Sequence, residues 1–175
     1  MIYFTRHGES EANLKGVFAG QRDDSALTPK GIKEAKATGN DIKRKKLQID
    51  RIIASPLKRS KETANIIADC IGLDRSTIEL DERLSEYDMG SLSGTPKKNI
   101  KAFEYTSAPD AEDVSAFQDR VMGLLQEIKT FSGNTLIVSH SGVGRIIEAT
   151  RLNKPIHDFY ELEAYPNAKV VLLDI

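Results

Sequence analysis

The sequence of 175 residues has no tryptophan, a single cysteine, Cys70, and no excess of either charge sign. One cysteine excludes an internal disulfide and suits a reducing compartment. The 25 lysine and arginine residues are balanced by 26 aspartate and glutamate residues. Because proteins that bind nucleic acid or a membrane surface usually carry a strong basic excess, this balance argues against both classes.

Long apolar runs are also missing. None could cross a bilayer, and the charges and glycine that begin at Arg6 interrupt the pattern of a signal peptide. We therefore expect a soluble, cytoplasmic protein, a monomer or homodimer, that contacts neither membrane nor nucleic acid. The length suits one domain over residues 1–175.

Two common catalytic signatures are absent. No glycine-rich loop ends in Gly-Lys-Ser or Gly-Lys-Thr, which excludes a nucleotide P-loop. The three histidines form no pair at the helical spacing of a metal site. Cys70 lies near the apolar face of a predicted helix, where a small core residue is expected rather than a nucleophile. An imidazole is the remaining candidate nucleophile.

Short apolar segments alternate with amphipathic ones along the chain. We predict strands over 1–5, 50–54, 76–80, 135–138 and 168–173, and helices over 29–46, 57–71, 113–131 and 142–150. This alternation predicts a layered α/β domain with a mainly parallel sheet. The irregular stretch 81–109, which contains Gly90 and Gly94, predicts a mobile excursion over the site.

Polar residues follow four of the predicted strands. Arg6 and His7 end the first, Arg59 follows the second, Glu86 the third and His140 the fourth. Because ligands bind outside the carboxyl ends of parallel strands, these residues are expected at one edge of the sheet. Two histidines, two arginines and one carboxylate would then meet.

The position of Arg59 and Arg145 points to an anion. Each lies in the first turn of a predicted helix, where the dipole disfavours cations by a few tenths of a kcal/mol. A bound phosphate would offset this repulsion, since guanidinium donors match its oxygens two at a time. A neutral His7 could then attack phosphorus, and a protonated Glu86 could supply the leaving group with a proton.

Five sequence blocks carry a family resemblance. They are Arg6-His7-Gly8-Glu9-Ser10 with Asn13, Leu27-Thr28-Pro29-Lys30-Gly31, Ser55-Pro56-Leu57 with Arg59 and Thr63-Ala64, Leu84-Ser85-Glu86 with Gly90 and Gly94, and Val138-Ser139-His140-Ser141-Gly142. In this order the blocks resemble the histidine phosphatase superfamily, in the branch that contains cofactor-dependent phosphoglycerate mutase.

The resemblance implies a three-layer α/β/α sandwich with a short cap segment at about 95–111, and neither metal nor cofactor. It implies His7 as the phosphorylated nucleophile and Glu86 as the proton donor. The remaining implied residues are a phosphate pocket of Arg6, Arg59 and His140, and substrate-binding positions at Asn13, Gly20 and Ser141.

Departures from the mutase pattern favour a phosphatase. Ala19 replaces the hydroxyl residue of mutases, Leu92-Ser93 replace a common Trp-Glu, and the excursion after Gly94 is short. A short cap admits water, which hydrolyses a phosphohistidine. We therefore expect a metal-independent phosphomonoesterase acting on a small-molecule phosphate ester.

Several alternatives remain open from the sequence. The protein could be a mutase, a hydrolase whose metal is bound by His7, His140 and Glu86, or a phospholigand-binding module without catalysis. Glu82 is a second candidate acid, and Lys97 with Lys98 is either ordinary surface charge or a patch that steers anions.

Overall fold

The computed structural model describes residues 1–100 and 104–174, so residues 101–103 of the predicted cap lie outside the described residues. Its elements are β1 (Ile2–Arg6), α1 (Glu11–Lys15), α2 (Pro29–Arg44), β2 (Arg51–Ala54), α3 (Lys58–Ile71), β3 (Glu79–Leu80), α4 (Val114–Lys129), β4 (Thr135–Ser139), α5 (Ser141–Arg151) and β5 (Val170–Leu172). None of the helices within this part of the chain is long and apolar enough to span a membrane.

The five strands form one sheet in the order β3-β2-β4-β1-β5. The first four are parallel, and only β5 runs antiparallel to its neighbour β1. The predicted strand over 76–80 is shorter than expected. Asp74 accepts a hydrogen bond from the Ser76 amide and caps a 3-10 turn over Arg75–Thr77, so pairing begins only at Glu79.

Alternating side chains of the strands build two cores. Phe4, Ile53 and Ile137 pack on one face against α4 and α5. Tyr3, Ile52, Leu136 and Val138 pack on the other face against α2 and α3. Because strand side chains alternate between faces and both faces are covered, these strands are almost wholly apolar. The predicted α/β/α sandwich with a mainly parallel sheet is thereby confirmed.

Helix α2 touches the turn that carries His7. Thr28 caps this helix by accepting from the Gly31 amide at 3.1 Å, and Pro29 occupies its first position. A Cβ atom on Gly8 would lie 2.5 Å from the Gly31 carbonyl oxygen. Positions 8 and 31 therefore both need glycine, because the backbone of the turn after His7 and the backbone of α2 meet directly behind the candidate nucleophile.

Candidate active site

A cleft of about 220 Å³ opens at the carboxyl ends of β1 and β4. Seven of the predicted site residues line it: Arg6, His7, Asn13, Gly20, Arg59, Glu86 and Ser141. The eighth, His140, is fully buried beside it, with its ring centroid 5.1 Å from that of His7. The structure therefore brings all the predicted residues together.

The His7 ring has a defined tautomer. Its Nδ1 lies 2.7 Å from the Gly8 carbonyl oxygen. Because a carbonyl only accepts, Nδ1 donates, and in the neutral ring Nε2 keeps its lone pair. Two further bonds fix the backbone here, from the Gly8 amide to Thr63 Oγ1 at 3.1 Å and from Asn167 Nδ2 to the His7 carbonyl at 2.7 Å.

The environment keeps this imidazole neutral. Burial, followed by the charges of Arg59 and Arg6, holds the pKa of His7 well below its usual range. Burial and Arg59 lower the pKa of His140 in the same way. An uncharged His7 near pH 7 is available as a nucleophile, since protonation would occupy its lone pair.

The Nε2 atom of the His140 ring has a hydrogen-bond partner. His140 precedes α5 as its N-cap residue, and its Nε2 lies 2.7 Å from Ser55 Oγ. Its buried Nδ1 has no hydrogen-bond partner within residues 1–100 and 104–174, and the same is true of Arg6 Nε. Buried polar atoms are normally paired, so both atoms lack the partner that such atoms usually have.

Arg59 is buried at the amino end of α3 and tethered to the loop before α2. Its Nη1 donates to the Asp23 carbonyl at 2.7 Å and its Nη2 to the Gly20 carbonyl at 2.9 Å. Burial lowers the pKa of Arg59 and of Arg6. The buried Arg59 and the half-buried Arg6, beside neutral imidazoles, form a site suited to an anion.

The Glu86 carboxylate is oriented by two backbone amides. Oε1 accepts from the Tyr87 amide at 3.0 Å, and Oε2 accepts from the Gly142 amide at 3.1 Å, in the first turn of α5. Glu82 is exposed, is absent from the cleft lining and accepts from Ser85 Oγ at 3.3 Å. Of the two candidate acids, the structure therefore places Glu86 at the cleft.

A comparison with known protein families identifies the family of this chain. A sequence model of the histidine phosphatase superfamily (branch 1) matches residues 2–175. The chain belongs to this superfamily.

Relatives within the histidine phosphatase superfamily carry both phosphatase and mutase names. A putative phosphoserine phosphatase 2 of Hydrogenobacter thermophilus is 33% identical over 154 residues, covering 81% of this chain and 73% of that protein. A 2,3-bisphosphoglycerate-dependent phosphoglycerate mutase of Methylobacterium sp. is 40% identical over 102 residues, or 58% of this chain. The aligned part spans about half, 49%, of that mutase.

Solved structures of the superfamily share the fold. YhfR of Bacillus stearothermophilus superposes with a TM-score of 0.82 at 26% identity, covering 97% of this chain and 88% of that one. A mycobacterial glucosyl-3-phosphoglycerate phosphatase superposes with a TM-score of 0.79 at 23% identity, covering 97% of this chain and 88% of that one.

The charges of this histidine phosphatase site do not fit a divalent cation. Arg6, Arg59, Lys97 and Arg145 line the cleft, and both Glu86 oxygens already accept amide hydrogen bonds. Among the described residues, no group of three or more His, Cys, Asp or Glu side chains could hold a metal ion. These contacts disfavour the metal-dependent alternative, because four cations would repel such an ion.

The outer wall of the cleft contains residues that the sequence leaves open or does not indicate. Lys97, for which the sequence leaves both surface charge and anion steering open, lines the cleft, as do Tyr105 and Tyr160. Tyr160 belongs to a 3-10 segment, Ile156–Glu161. The sequence of this segment has no periodic pattern from which its position could be predicted. Arg145, which the predicted helix over 142–150 indicates as an anion contact, lies near the start of α5 and also lines the cleft.

Replacing Gly142 with alanine is expected to lower kcat by about 10²-fold, because displacing a catalytic group by about 1 Å has effects of that size. A Cβ atom there would collide with Glu86 Oε1. The matched control is Gly123→Ala in α4, where a Cβ meets open space. We expect the control to keep kcat and raise the free energy of unfolding by about 0.5–1 kcal/mol. Equal kcat values for the two variants would contradict this role of Gly142.

Stability is expected to fall as the pH drops below about 6.5. The folded pKa values of His7 and His140 lie below those of unfolded histidines, so the unfolded chain binds more protons in this range. Each histidine contributes a slope of up to about 1.4 kcal/mol per pH unit until its folded pKa is passed. Chemical denaturation between pH 7.5 and about 5.5 measures the slope. His140→Gln should reduce this slope, because it removes one of the two histidines whose pKa is lowered by folding.

Proposed function

We propose that the protein is a metal-independent phosphomonoesterase that works through a phosphohistidine on His7. The observation that carries this proposal is the neutral, tautomer-defined His7 ring in a cleft lined by cations. A nucleophile with a free lone pair and a cradle for three phosphate oxygens are what phosphoryl transfer requires.

In the first step, His7 Nε2 attacks phosphorus and the bond from phosphorus to the ester oxygen breaks. The Glu86 carboxyl group gives its proton to the departing oxygen, so the alcohol leaves neutral. Arg6, Arg59 and His140 surround the equatorial oxygens and stabilise the charge that spreads over them.

In the second step, water attacks the phosphorus of phosphohistidine. The Glu86 carboxylate takes a proton from that water, the bond from phosphorus to Nε2 breaks, and inorganic phosphate is released. Both His7 and Glu86 regain their starting protonation states, so the cycle closes without an external acid or base.

The substrate-binding residues have separate tasks in this proposal. Asn13 accepts from the Ser10 amide with Oδ1 at 3.2 Å, which leaves its Nδ2 to donate to a phosphate oxygen. Ser141, in the first turn of α5, offers its backbone amide. Gly20 acts through its carbonyl, which holds Arg59 at 2.9 Å.

Mutase activity is the second candidate, because the Methylobacterium relative is named a phosphoglycerate mutase. The two activities share the first step and differ in the acceptor of the phosphoryl group. Incubation of 3-phosphoglycerate with catalytic 2,3-bisphosphoglycerate separates them. Isomerisation that outruns phosphate release would favour the mutase.

The decisive test is to trap the intermediate. Labelled p-nitrophenyl phosphate, quenched in base during turnover, should leave a base-stable, acid-labile phosphoryl group on the protein. The group should be absent in His7→Ala. Turnover without any such group would overturn the proposal. Micromolar binding of phosphate esters without turnover on a broad panel would instead indicate a binding module.

A further inference from the structure

The segment that bears the candidate acid has little regular structure of its own. This acid segment, residues 82–89, begins with a 3-10 turn over Glu82–Leu84, and its other residues, all of them described, lie outside every helix and strand. The carbonyl groups of such a segment have no partner in a helix or sheet ladder, so where they are buried other groups must bind them. The position of Glu86 therefore depends on the side chains that bind this backbone.

A single side chain of α4 binds three carbonyls of the acid segment. Arg120 donates from Nη1 and Nη2 to the carbonyls of Arg83 at 2.7 Å, Ser85 at 2.9 Å and Glu86 at 3.2 Å. The Arg120 side chain is only 18% exposed, and its guanidinium lies 4.7 Å from the centroid of the Phe117 ring. The candidate acid is thus bound through its own main chain to the helix behind it.

Glu112 fixes the orientation of this guanidinium. Its carboxylate accepts from Arg120 Nε at 2.7 Å and from Arg120 Nη2 at 3.0 Å. The backbone of Glu112 binds the acid segment as well, because its amide donates to the Asp88 carbonyl at 2.8 Å and its carbonyl accepts from the Tyr87 hydroxyl at 2.5 Å. Arg120 and Glu112 therefore act on the acid segment as one unit.

The contacts of Arg120 require an arginine. A guanidinium has five N–H donors, and here Glu112 accepts two hydrogen bonds and the acid segment accepts three. A lysine has three donors on one nitrogen, so it could keep the ion pair with Glu112 but could not span three carbonyls. Arg120→Lys therefore separates the charge of this side chain from its fork geometry.

The Glu86 carboxylate depends on the same backbone. Its Oε2 accepts from the Gly142 amide at 3.1 Å, which joins the acid segment to α5. The Gly142 amide lies in the first turn of α5, where amides have no partner within the helix, so Glu86 supplies its acceptor. A shift of the acid segment would break this bond and move the carboxyl group relative to His7.

We propose that Arg120 is a positioning residue for Glu86, which fixes the carboxyl group for proton transfer to the leaving oxygen. This inference rests on the proposed function and extends it to a residue outside the cleft lining. Loosening the acid segment should impair that proton transfer more than the attack by His7. The turn at His7 is bound separately, by Thr63 and Asn167.

The test compares two esters that differ in their need for an acid. The alcohol of glycerol 3-phosphate needs a proton to leave, whereas p-nitrophenyl phosphate releases a phenolate without one. The measured quantity is kcat/KM, because the later attack of water on phosphohistidine does not enter it. We expect Arg120→Lys to lower kcat/KM for glycerol 3-phosphate by about 10²-fold, the usual cost of misplacing a catalytic group by about 1 Å, and to lower it much less for p-nitrophenyl phosphate.

Arg51 of β2 provides the matched control. Its side chain is 22% exposed against 18% for Arg120, and it pairs with Glu79 at 3.0 Å. Its guanidinium lies 4.7 Å from the centroid of the Phe131 ring, the same distance as between Arg120 and Phe117. Arg51 begins its strand, whereas the cleft opens at the carboxyl ends of the strands. Arg51→Lys should therefore leave the ratio of the two kcat/KM values unchanged.

A double-mutant cycle determines whether Arg120 acts through Glu86. The acid is already lost in Glu86→Gln, so the added Arg120→Lys should lower kcat/KM for glycerol 3-phosphate little further. Losses that multiply would overturn the inference, and so would an equal loss on both esters in Arg120→Lys. In either case, hydrolysis through phosphohistidine would leave the proposed function standing. If Arg120→Lys does not fold, Glu112→Gln, which weakens the pair that orients the fork, takes its place with the same expected direction.

Hydrogen exchange of the Gly142 amide, followed by NMR, gives a readout that needs no turnover. This amide should exchange faster in Arg120→Lys than in the unaltered protein or in Arg51→Lys, because the carboxylate that accepts from it has moved. Unchanged exchange would overturn the inference. If the unaltered protein hydrolyses neither ester, the proposed function fails by that result alone, and the exchange rates still decide whether Arg120 holds the Glu86 carboxylate in place.

Discussion

Replacement of His7 by alanine is expected to lower kcat/KM for any phosphate ester by about 10⁴-fold or more, the range found when a nucleophile is removed from an enzyme. The cleft would keep its cations and still bind the ester, because Arg6 and Arg59 are tethered by contacts that do not involve the imidazole. Initial rates and substrate binding measured on the same preparation separate the two effects.

The chain supplies its own control for this experiment. His157 is exposed and lies outside the cleft lining, so His157→Ala should retain full activity. If His7→Ala keeps more than about a tenth of the activity, a covalent mechanism on this residue is excluded, since losing a nucleophile costs far more than one order of magnitude.

Glu86→Gln is expected to lower kcat for alkyl phosphates by about 10²–10⁴-fold, the range of general acid–base catalysis. The amide keeps the size of the side chain and one acceptor for the Tyr87 or Gly142 amide. For p-nitrophenyl phosphate the loss should be smaller in the first step, because the phenolate departs without a proton. A stopped-flow burst of p-nitrophenol followed by slow turnover would show that the second step still needs the carboxylate.

Glu82→Gln is the matched control, four residues away and exposed. It should behave like the unaltered protein with both ester classes. The roles of the two glutamates would be reversed if Glu82→Gln lost activity selectively on alkyl phosphates while Glu86→Gln did not.

The sheet and the inner part of the cleft could be predicted because short stretches of the sequence, each a few residues long, indicate them. Apolar β-branched strands end abruptly in polar residues, and parallel strands bring those ends together. His7, Arg59 and His140 all follow this rule, although they are far apart in the chain. The glycines at 8 and 142 were part of the motifs, but the contacts that require them became visible only in three dimensions.

The outer wall of the cleft could not be predicted in this way. Lys97 lies in a short 3-10 turn and Tyr160 in a longer one. Such segments have no repeating pattern, and their position depends on packing against distant elements. Tyr160, for example, packs against the distant Tyr105, with 4.6 Å between the ring centroids. Without periodicity, neither side chain can be assigned to a face of the molecule.

The bond from the His7 ring to the neighbouring carbonyl has a regiochemical consequence. In the proposed mechanism, the contact of Nδ1 with this carbonyl at 2.7 Å leaves only Nε2 to accept the phosphoryl group, so we expect τ-phosphohistidine and none of the π isomer. The two isomers differ in ³¹P chemical shift and in recognition by isomer-selective antibodies. A trapped intermediate that carried the π isomer would mean that the His7 ring rotates during the reaction, so that Nδ1 leaves the carbonyl and faces the phosphoryl group.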